Sequence, residues 1–287
     1  MKRKSTWLVV AGAALVLAVP ALAQFKPDEV AEWPKWEEFL KAADITASEK
    51  LTGPDAVTNP YKLTLEKDGV VRFGLWKNVE GRPGGYIDSW KYEVAAYRID
   101  RLIGLDMIPP TVERRFQENR GSLQLWVESQ MSLKKKEDDK VKTPSYKVYP
   151  WNLATYLQRA FDNLIGNEDR HMNNILITKD WGLYLIDHSR SFRTSRKFTD
   201  QLIYRKGGKE GDKFMLMLPR AFAEKLRGLT EASIHESVGE YLTDAEVAAC
   251  MKRRDLILKE VERLIKESGA DVAVAFRTLD GPAGAPR

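Results

Sequence analysis

The feature that most constrains this chain is a polar loop set between a core helix and a tight apolar hairpin, within residues 161–192. Leu153, Tyr156, Leu157, Ala160, Phe161 and Leu164 recur at the spacing of a helix with one buried face. The run Gly166-Asn167-Glu168-Asp169-Arg170-His171-Met172-Asn173-Asn174 then places polar groups where the chain must turn. Apolar residues at 175–178 and 183–186 read as two short strands joined by Lys179-Asp180-Trp181-Gly182. If that turn is centred on Asp180-Trp181, Ile175 opposes Ile186, and Asn174 opposes Asp187. Directly opposed residues hold their Cβ atoms about 4.5–5.5 Å apart on one face. The hairpin is therefore expected to deliver an amide oxygen and a carboxylate to one point.

An Asn and an Asp offer the hard oxygen ligands that Mg²⁺ takes when phosphate oxygens and water complete its shell. Asp169 precedes Asn174 by five positions, the spacing between catalytic base and metal-binding amide in kinase catalytic loops. Turn-forming Asn and Asp residues are the simpler alternative. That alternative accounts for Asn167, but not for the mirror placement of Asn174 and Asp187.

Upstream, the residues needed to complete such a site are present. Residues 62–66 and 70–77 flank Lys67-Asp68-Gly69, a hairpin signal, with Val71, Phe73, Leu75 and Lys77 on one strand face. A lysine ending an apolar face is either a snorkelling edge residue or a charge held for a partner. Asp88 or Ser89 can cap a helix that ends near Gly104, with Tyr92, Ala95, Ala96, Ile99, Leu102 and Ile103 as its apolar stripe. Glu93 lies at the edge of that stripe and is the candidate partner of Lys77. Residues 122–127 read as a further strand. Thr243 and Glu246 make a capping box before a final helix, on whose apolar face Cys250 reads as a buried, inert thiol.

Taken together, Gly166-Asn167-Glu168-Asp169-Arg170-His171 with Asn174, followed by Leu185-Ile186-Asp187-His188-Ser189-Arg190-Ser191-Phe192, resembles the secretory-pathway kinases of the four-jointed and Golgi casein kinase type. It is also similar to phosphatidylinositol 3-/4-kinases, in their D-R-H-x-x-N loop, and more distantly to HipA toxin kinases. Glu93-Val94-Ala95-Ala96-Tyr97-Arg98-Ile99-Asp100 before Pro109-Pro110 resembles the regulatory helix of this group. The resemblance runs from about residue 60 to 275. It implies an α+β, two-lobed protein-kinase-like fold, with a small β-rich N-lobe carrying one regulatory helix and a larger, mainly helical C-lobe carrying a metal-binding hairpin. It implies ATP or another nucleoside triphosphate in the cleft, and Mg²⁺ or Mn²⁺ on Asn174 and Asp187. Lys77 would hold the α/β-phosphates and pair with Glu93, and Asp169 would accept or orient the proton of the acceptor hydroxyl. Arg170 and His171 would brace the loop or touch the transferring phosphate. Glu128 and Ser129 fall where an adenine-binding hinge would lie. No glycine-rich phosphate loop precedes Lys77, so Arg72 or backbone amides are expected to grip phosphate there.

The resemblance implies transfer of the γ-phosphate to a hydroxyl of a protein, glycan or lipid. A catalytically inactive nucleotide- or partner-binding module, and a nucleotidyl transferase using the same groups, are the alternatives. With 43% hydrophobic, 30% charged and 10% aromatic residues over 287 positions, the composition excludes disorder as the main state. A single cysteine excludes an internal disulfide. Residues 1–23 read as a signal peptide, with Lys2, Arg3 and Lys4, an apolar run from Trp7, and cleavage between Ala23 and Gln24. Cleavage would remove three of 46 basic residues against 41 acidic ones, so the net charge falls from +5 to +2. Nucleic-acid binding is therefore not expected, and a secreted or periplasmic location without a membrane span is. The expected organisation is a signal peptide (1–23), an N-terminal extension (24–60), an N-lobe (61–133), a charged connecting loop (134–150), a C-lobe (151–275) and a flexible tail (276–287).

Overall fold

The computed structural model describes residues 27–53, 58–82, 85–207 and 215–268. The expected signal peptide with its Ala23/Gln24 cleavage point and the expected tail lie outside the described residues. The architecture is α+β. After α1 (Pro27–Ala31) and α2 (Trp33–Ala42) come β1 (Asp44–Lys50), β2 (Tyr61–Lys67), β3 (Val70–Lys77) and the short pair β4 (Glu80–Gly81) and β5 (Asp88–Ser89). Helix α3 (Trp90–Ile103) leads into β6 (Thr111–Phe116) and β7 (Asn119–Leu125). There follow β8 (Met131–Ser132), α4 (Leu133–Asp138), α5 (Val148–Ile165), β9 (Ile175–Ile177) and β10 (Leu183–Leu185). Among the described residues four helices follow: α6 (Arg196–Thr199), α7 (Arg220–Gly228), α8 (Glu231–Val238) and α9 (Asp244–Ser268). The main sheet is antiparallel, in the order β1-β2-β3-β7-β6, and a second sheet runs β10-β9-β8.

Local chemistry explains most of these elements. Asp68 and Gly69 adopt φ of 52° and 74°, the double left-handed turn that fits the twist of a two-residue hairpin. Ser89 caps α3 by accepting from the Lys91 amide at 3.3 Å, and Gly104 closes it at φ 66°. Thr243 and Glu246 form the expected capping box of α9, and Cys250 is fully buried, with burial pushing its thiol pKa up. Gly166 ends α5 at φ 62°, and a Cβ there would stand 2.9 Å from the buried guanidinium of Arg253. Both the dihedral and the space therefore require glycine.

Two hydrophobic cores result. One lies under the main sheet, where Leu63, Leu65, Trp76 and Leu123 meet Phe39 and Leu40 of α2. The other joins α3 to α5, the second sheet and the C-terminal helices through Ala96, Ile99, Leu157, Phe161, Leu185 and Val247.

Several boundaries differ from the expectation. The sheet starts at Asp44, not at residue 61, and α2 is part of the sheet's core. Strand β1 is weakly marked in the sequence because it is a largely exposed edge strand whose apolar positions are only Ile45 and Ala47. β6 was missed because Gln117 and Glu118 turn the chain at φ 48° and 66° without a glycine to announce it. β7 runs from Asn119 to Leu125 rather than over 122–127. Residues 134–150 are a loop only in part, over 139–147. Ser132 caps α4, Lys134–Asp138 and Lys135–Asp139 ion pairs at 2.6 and 2.7 Å stitch its exposed face, and α5 already begins at Val148. The Val71–Phe73–Leu75–Lys77 face is not a core face. Val71 and Phe73 are 45% and 42% exposed, while the opposite face carries the buried Trp76.

The β9–β10 register is shifted by one from the expectation. Leu185 pairs with Ile175 and Leu183 with Ile177. The cause is the turn, in which the Trp181 amide bonds back to the Thr178 carbonyl at 3.0 Å and Trp181 takes φ 67°, adding a bulge residue. No described helix is long and apolar enough to cross a membrane.

Candidate active site

The end of β3, the start of α3 and the residues after β10 converge. The Lys77 ammonium lies 2.8 Å from Glu93 Oε1 and 2.8 Å from Asp187 Oδ1. Lys77 and Glu93 are 6% and 3% exposed, so the expected ion pair is present and is desolvated. Burial alone would push the lysine pKa down, but the Asp187 and Glu93 carboxylates outweigh it and hold the pKa above the ordinary lysine range. Burial would likewise raise Glu93. The charge of Lys77, with help from His188, instead holds its carboxyl well below the usual range. The second Glu93 oxygen accepts from the His188 amide at 2.9 Å. The His188 ring is itself fully buried without a hydrogen bond, edge-on to Phe161. Burial, then Arg170, lowers its pKa against the opposing pull of Glu93, whose Oε2 lies 3.6 Å from Nδ1.

Asn174 and Asp187 meet in spite of the shifted register. With Leu185 opposite Ile175, simple alternation would send Asp187 toward Asn173. Asp187 instead adopts φ 61°, which re-aims its carboxylate, and Asn174 Nδ2 donates to Asp187 Oδ2 at 3.5 Å. The amide reversed about its last bond has the same shape and presents Oδ1 to the same point. Asp187 Oδ1 is occupied by Lys77, which leaves Oδ2 and the Asn174 oxygen for a cation. Among the described residues no cluster of three or more His, Cys, Asp or Glu side chains is placed to hold a metal. A cation here would have only these two protein oxygens and would draw its other ligands from water or a bound molecule.

Asp169 projects from the loop after α5, which is folded by a buried network. Asn167 Oδ1 accepts from the Asp169 amide at 3.0 Å, the turn-forming role expected of it. Arg170 points away from the cleft. Its guanidinium bonds Asp162 at 3.0 Å and the carbonyls of Asn174 and Ile186 at 3.0 and 2.6 Å. Of its two expected roles, the geometry fits bracing the loop: Arg170 ties Asp162 of α5 to Asn174, just before β9, and to Ile186, just after β10. His171 is 67% exposed and places Nε2 2.7 Å from Asp169 Oδ1.

Two cavities meet at Asn174 and Asp187. The larger, about 530 Å³, has an apolar end made by Leu75, Leu125, Val127, Leu176 and Ile186 and a polar end made by Lys77, Asn174 and Asp187. The smaller, about 340 Å³, is lined by Asp169, His171, Asp88, Ser189 and Arg190 and shares Thr58, Asn173, Asn174 and Asp187 with the first. Ser129 lines the large cavity, but Glu128 does not: it lines a separate hollow with Lys179 and Asp180. Among the described residues the amides of Val127, Glu128 and Ser129 take no partner, whereas Trp126 and Gln130 on either side bond to Phe73 and Ile177 carbonyls. Arg72 bonds its neighbour's carbonyl and stacks on Trp36, outside both cavities. Thr52, Gly53 and Thr58, between β1 and β2, line the larger cavity instead.

Asp88, Ser189 and Arg190 were missed as functional groups, because their partners lie about a hundred residues away in sequence. Asp88 does not cap α3. It is 1% exposed and accepts from Ser189 Oγ at 2.6 Å and Arg190 Nε at 2.9 Å.

No protein-family model matches this chain, and no curated protein matches it.

Proposed function

We propose that this chain is a phosphotransferase with a two-lobed, kinase-like fold, which moves the γ-phosphoryl group of ATP or another nucleoside triphosphate to a hydroxyl acceptor. The observation that carries this reading is Lys77, buried between Glu93 and Asp187 with Asn174 alongside, at the junction of an apolar-ended cavity and a polar one. Phosphoryl transfer needs positioned cations and a positioned hydroxyl more than it needs covalent chemistry. A volume of about 530 Å³ is within the usual range for a small-molecule site.

The base would sit at the apolar end, beside Val127 and Ser129. Lys77 would hold the α/β-phosphates, drawing on a charge that two carboxylates keep protonated. Asn174 and Asp187 would hold Mg²⁺ or Mn²⁺, which neutralises charge on the phosphate oxygens when bound. Asp169, on the smaller cavity, would take the proton of the acceptor hydroxyl as the acceptor oxygen bonds to phosphorus. The bond from phosphorus to the bridging β–γ oxygen then breaks, and the nucleoside diphosphate leaves.

Incubation of the protein with α- and γ-labelled ATP and Mg²⁺ or Mn²⁺ tests this. Transfer of γ-label to protein, glycan or lipid hydroxyls is expected. Transfer of α-label would mean nucleotidyl transfer. Binding with transfer of neither would leave a nucleotide-binding module, and neither binding nor transfer would leave a partner-binding one.

We place this activity outside the cytoplasm, from the charged, apolar and small-residue pattern of residues 1–23. Mass spectrometry of the native protein is expected to find Gln24 at the N-terminus. Met1 retained on cytosolic protein would reverse the assignment.

A further inference from the structure

Resting on that reading, we propose that Arg190, held by the buried carboxylate of Asp88, is the positioning residue that sets Asp169 for the acceptor. Arg190 is gripped on three sides. Its Nε donates to Asp88 Oδ2 at 2.9 Å, its Nη1 donates to Asp169 Oδ2 at 3.1 Å, and its guanidinium carbon lies 4.8 Å from the centre of the Tyr86 ring. A planar guanidinium held at two edges and one face has little freedom to move, so it can fix the carboxylate it touches.

Asp88 also reaches the metal side of the site. Its Oδ1 accepts from Ser189 Oγ, which lies 3.3 Å from Asp187 Oδ1. One unbroken chain of polar contacts therefore runs from Asp187 through Ser189, Asp88 and Arg190 to Asp169. Asp88 sits five residues before Glu93, on the strand that feeds α3. The segment that sets Lys77 through Glu93 thus also sets Asp169 through Asp88. The side chain of Arg190 is 18% exposed and that of Asp88 is fully buried, so the pair is built into the wall of the smaller cavity.

A positioning role makes a specific demand on coupling. Arg190→Ala is expected to lower kcat roughly 10–100-fold, the scale set by misplacing a reacting group by about 1 Å. Nucleotide affinity should stay within about threefold of the parent, because Lys77, Asn174 and Asp187 are untouched. The deciding measurement is a double-mutant cycle with Asp169→Asn. If Arg190 acts through the Asp169 carboxylate, adding Arg190→Ala to Asp169→Asn lowers kcat no further. If the two losses multiply, Arg190 acts independently of Asp169 and the proposal is overturned.

Asp88→Asn gives a second arm. It should reduce kcat in the parent, and the part of that loss carried through Arg190 should vanish in the Arg190→Ala background, leaving only the effect of its contact with Ser189. Where Asp88→Asn does not fold, the Arg190–Asp169 cycle decides alone. The two levels of the argument fail differently. A parent without γ-phosphate transfer would overturn the phosphotransferase reading and this proposal with it. An active parent with multiplying losses would overturn only the role of Arg190.

Discussion

Asp187→Ala is expected to abolish metal-dependent nucleotide binding, while Asp169→Asn leaves that binding almost intact and lowers turnover by roughly 10²–10⁴-fold. The difference follows from what each carboxylate touches. Asp187 is shared between the Lys77 ammonium and the cation position beside Asn174, so its loss removes a metal ligand and leaves Lys77 with one carboxylate instead of two. Asp169 touches His171 and Arg190 and lies on the smaller cavity, away from the apolar end where the base would bind. Asn174→Ala should weaken metal dependence less than Asp187→Ala, since it removes a neutral ligand. Calorimetry with nucleotide and Mg²⁺, paired with turnover for each variant, measures both quantities. Loss of binding in Asp169→Asn with turnover per bound complex preserved would reverse the two assignments. Parent-like behaviour in all three variants would remove this loop from any active site.

Arg170→Ala should act on stability first, lowering it by about 3–5 kcal/mol, the usual result of removing one partner from a buried ion pair. The side chains of Arg170 and Asp162 are 2% and 0% exposed, so the substitution strands a carboxylate in the core. Gln158 and Asn167 still donate to that carboxylate and would soften the loss, but neither carries a charge. The Asn174 and Ile186 carbonyls would also lose their shared donor at the base of the hairpin. Urea unfolding monitored by tryptophan fluorescence gives the number. Stability within about 1 kcal/mol of the parent, together with collapsed turnover, would return Arg170 to the reacting groups.

Much of the site was legible because its signals are local. The Asp169-to-Asn174 spacing, the Ser89 cap, the Asp68-Gly69 turn and the stripe that leaves Glu93 at its edge are all set within a few residues. Lys77 announced itself as a charge at the end of an apolar strand, and burial with two carboxylates is the physical reason such a charge persists.

Other matters were decided only by packing at long range. The pairing of Asn174 with Asp187 was anticipated from a register that the chain does not adopt. Trp181 bulges the turn, and the left-handed backbone of Asp187 brings the carboxylate back. Sequence places Arg170 beside Asp169, but α5 supplies the buried Asp162 that draws it away from the cleft. β1 and β6 exist as strands because β2 and β7 offer them open edges, not because their own residues demand it. The pairing of Asp88 with Arg190 carries no mark in sequence, since 102 residues separate them and only the folded chain sets one against the other. Caps, turns and periodicity act over one or two turns of backbone and can be read from neighbours. The partners of a buried charge are chosen by whichever elements the two cores press together, and only the tertiary structure holds that choice.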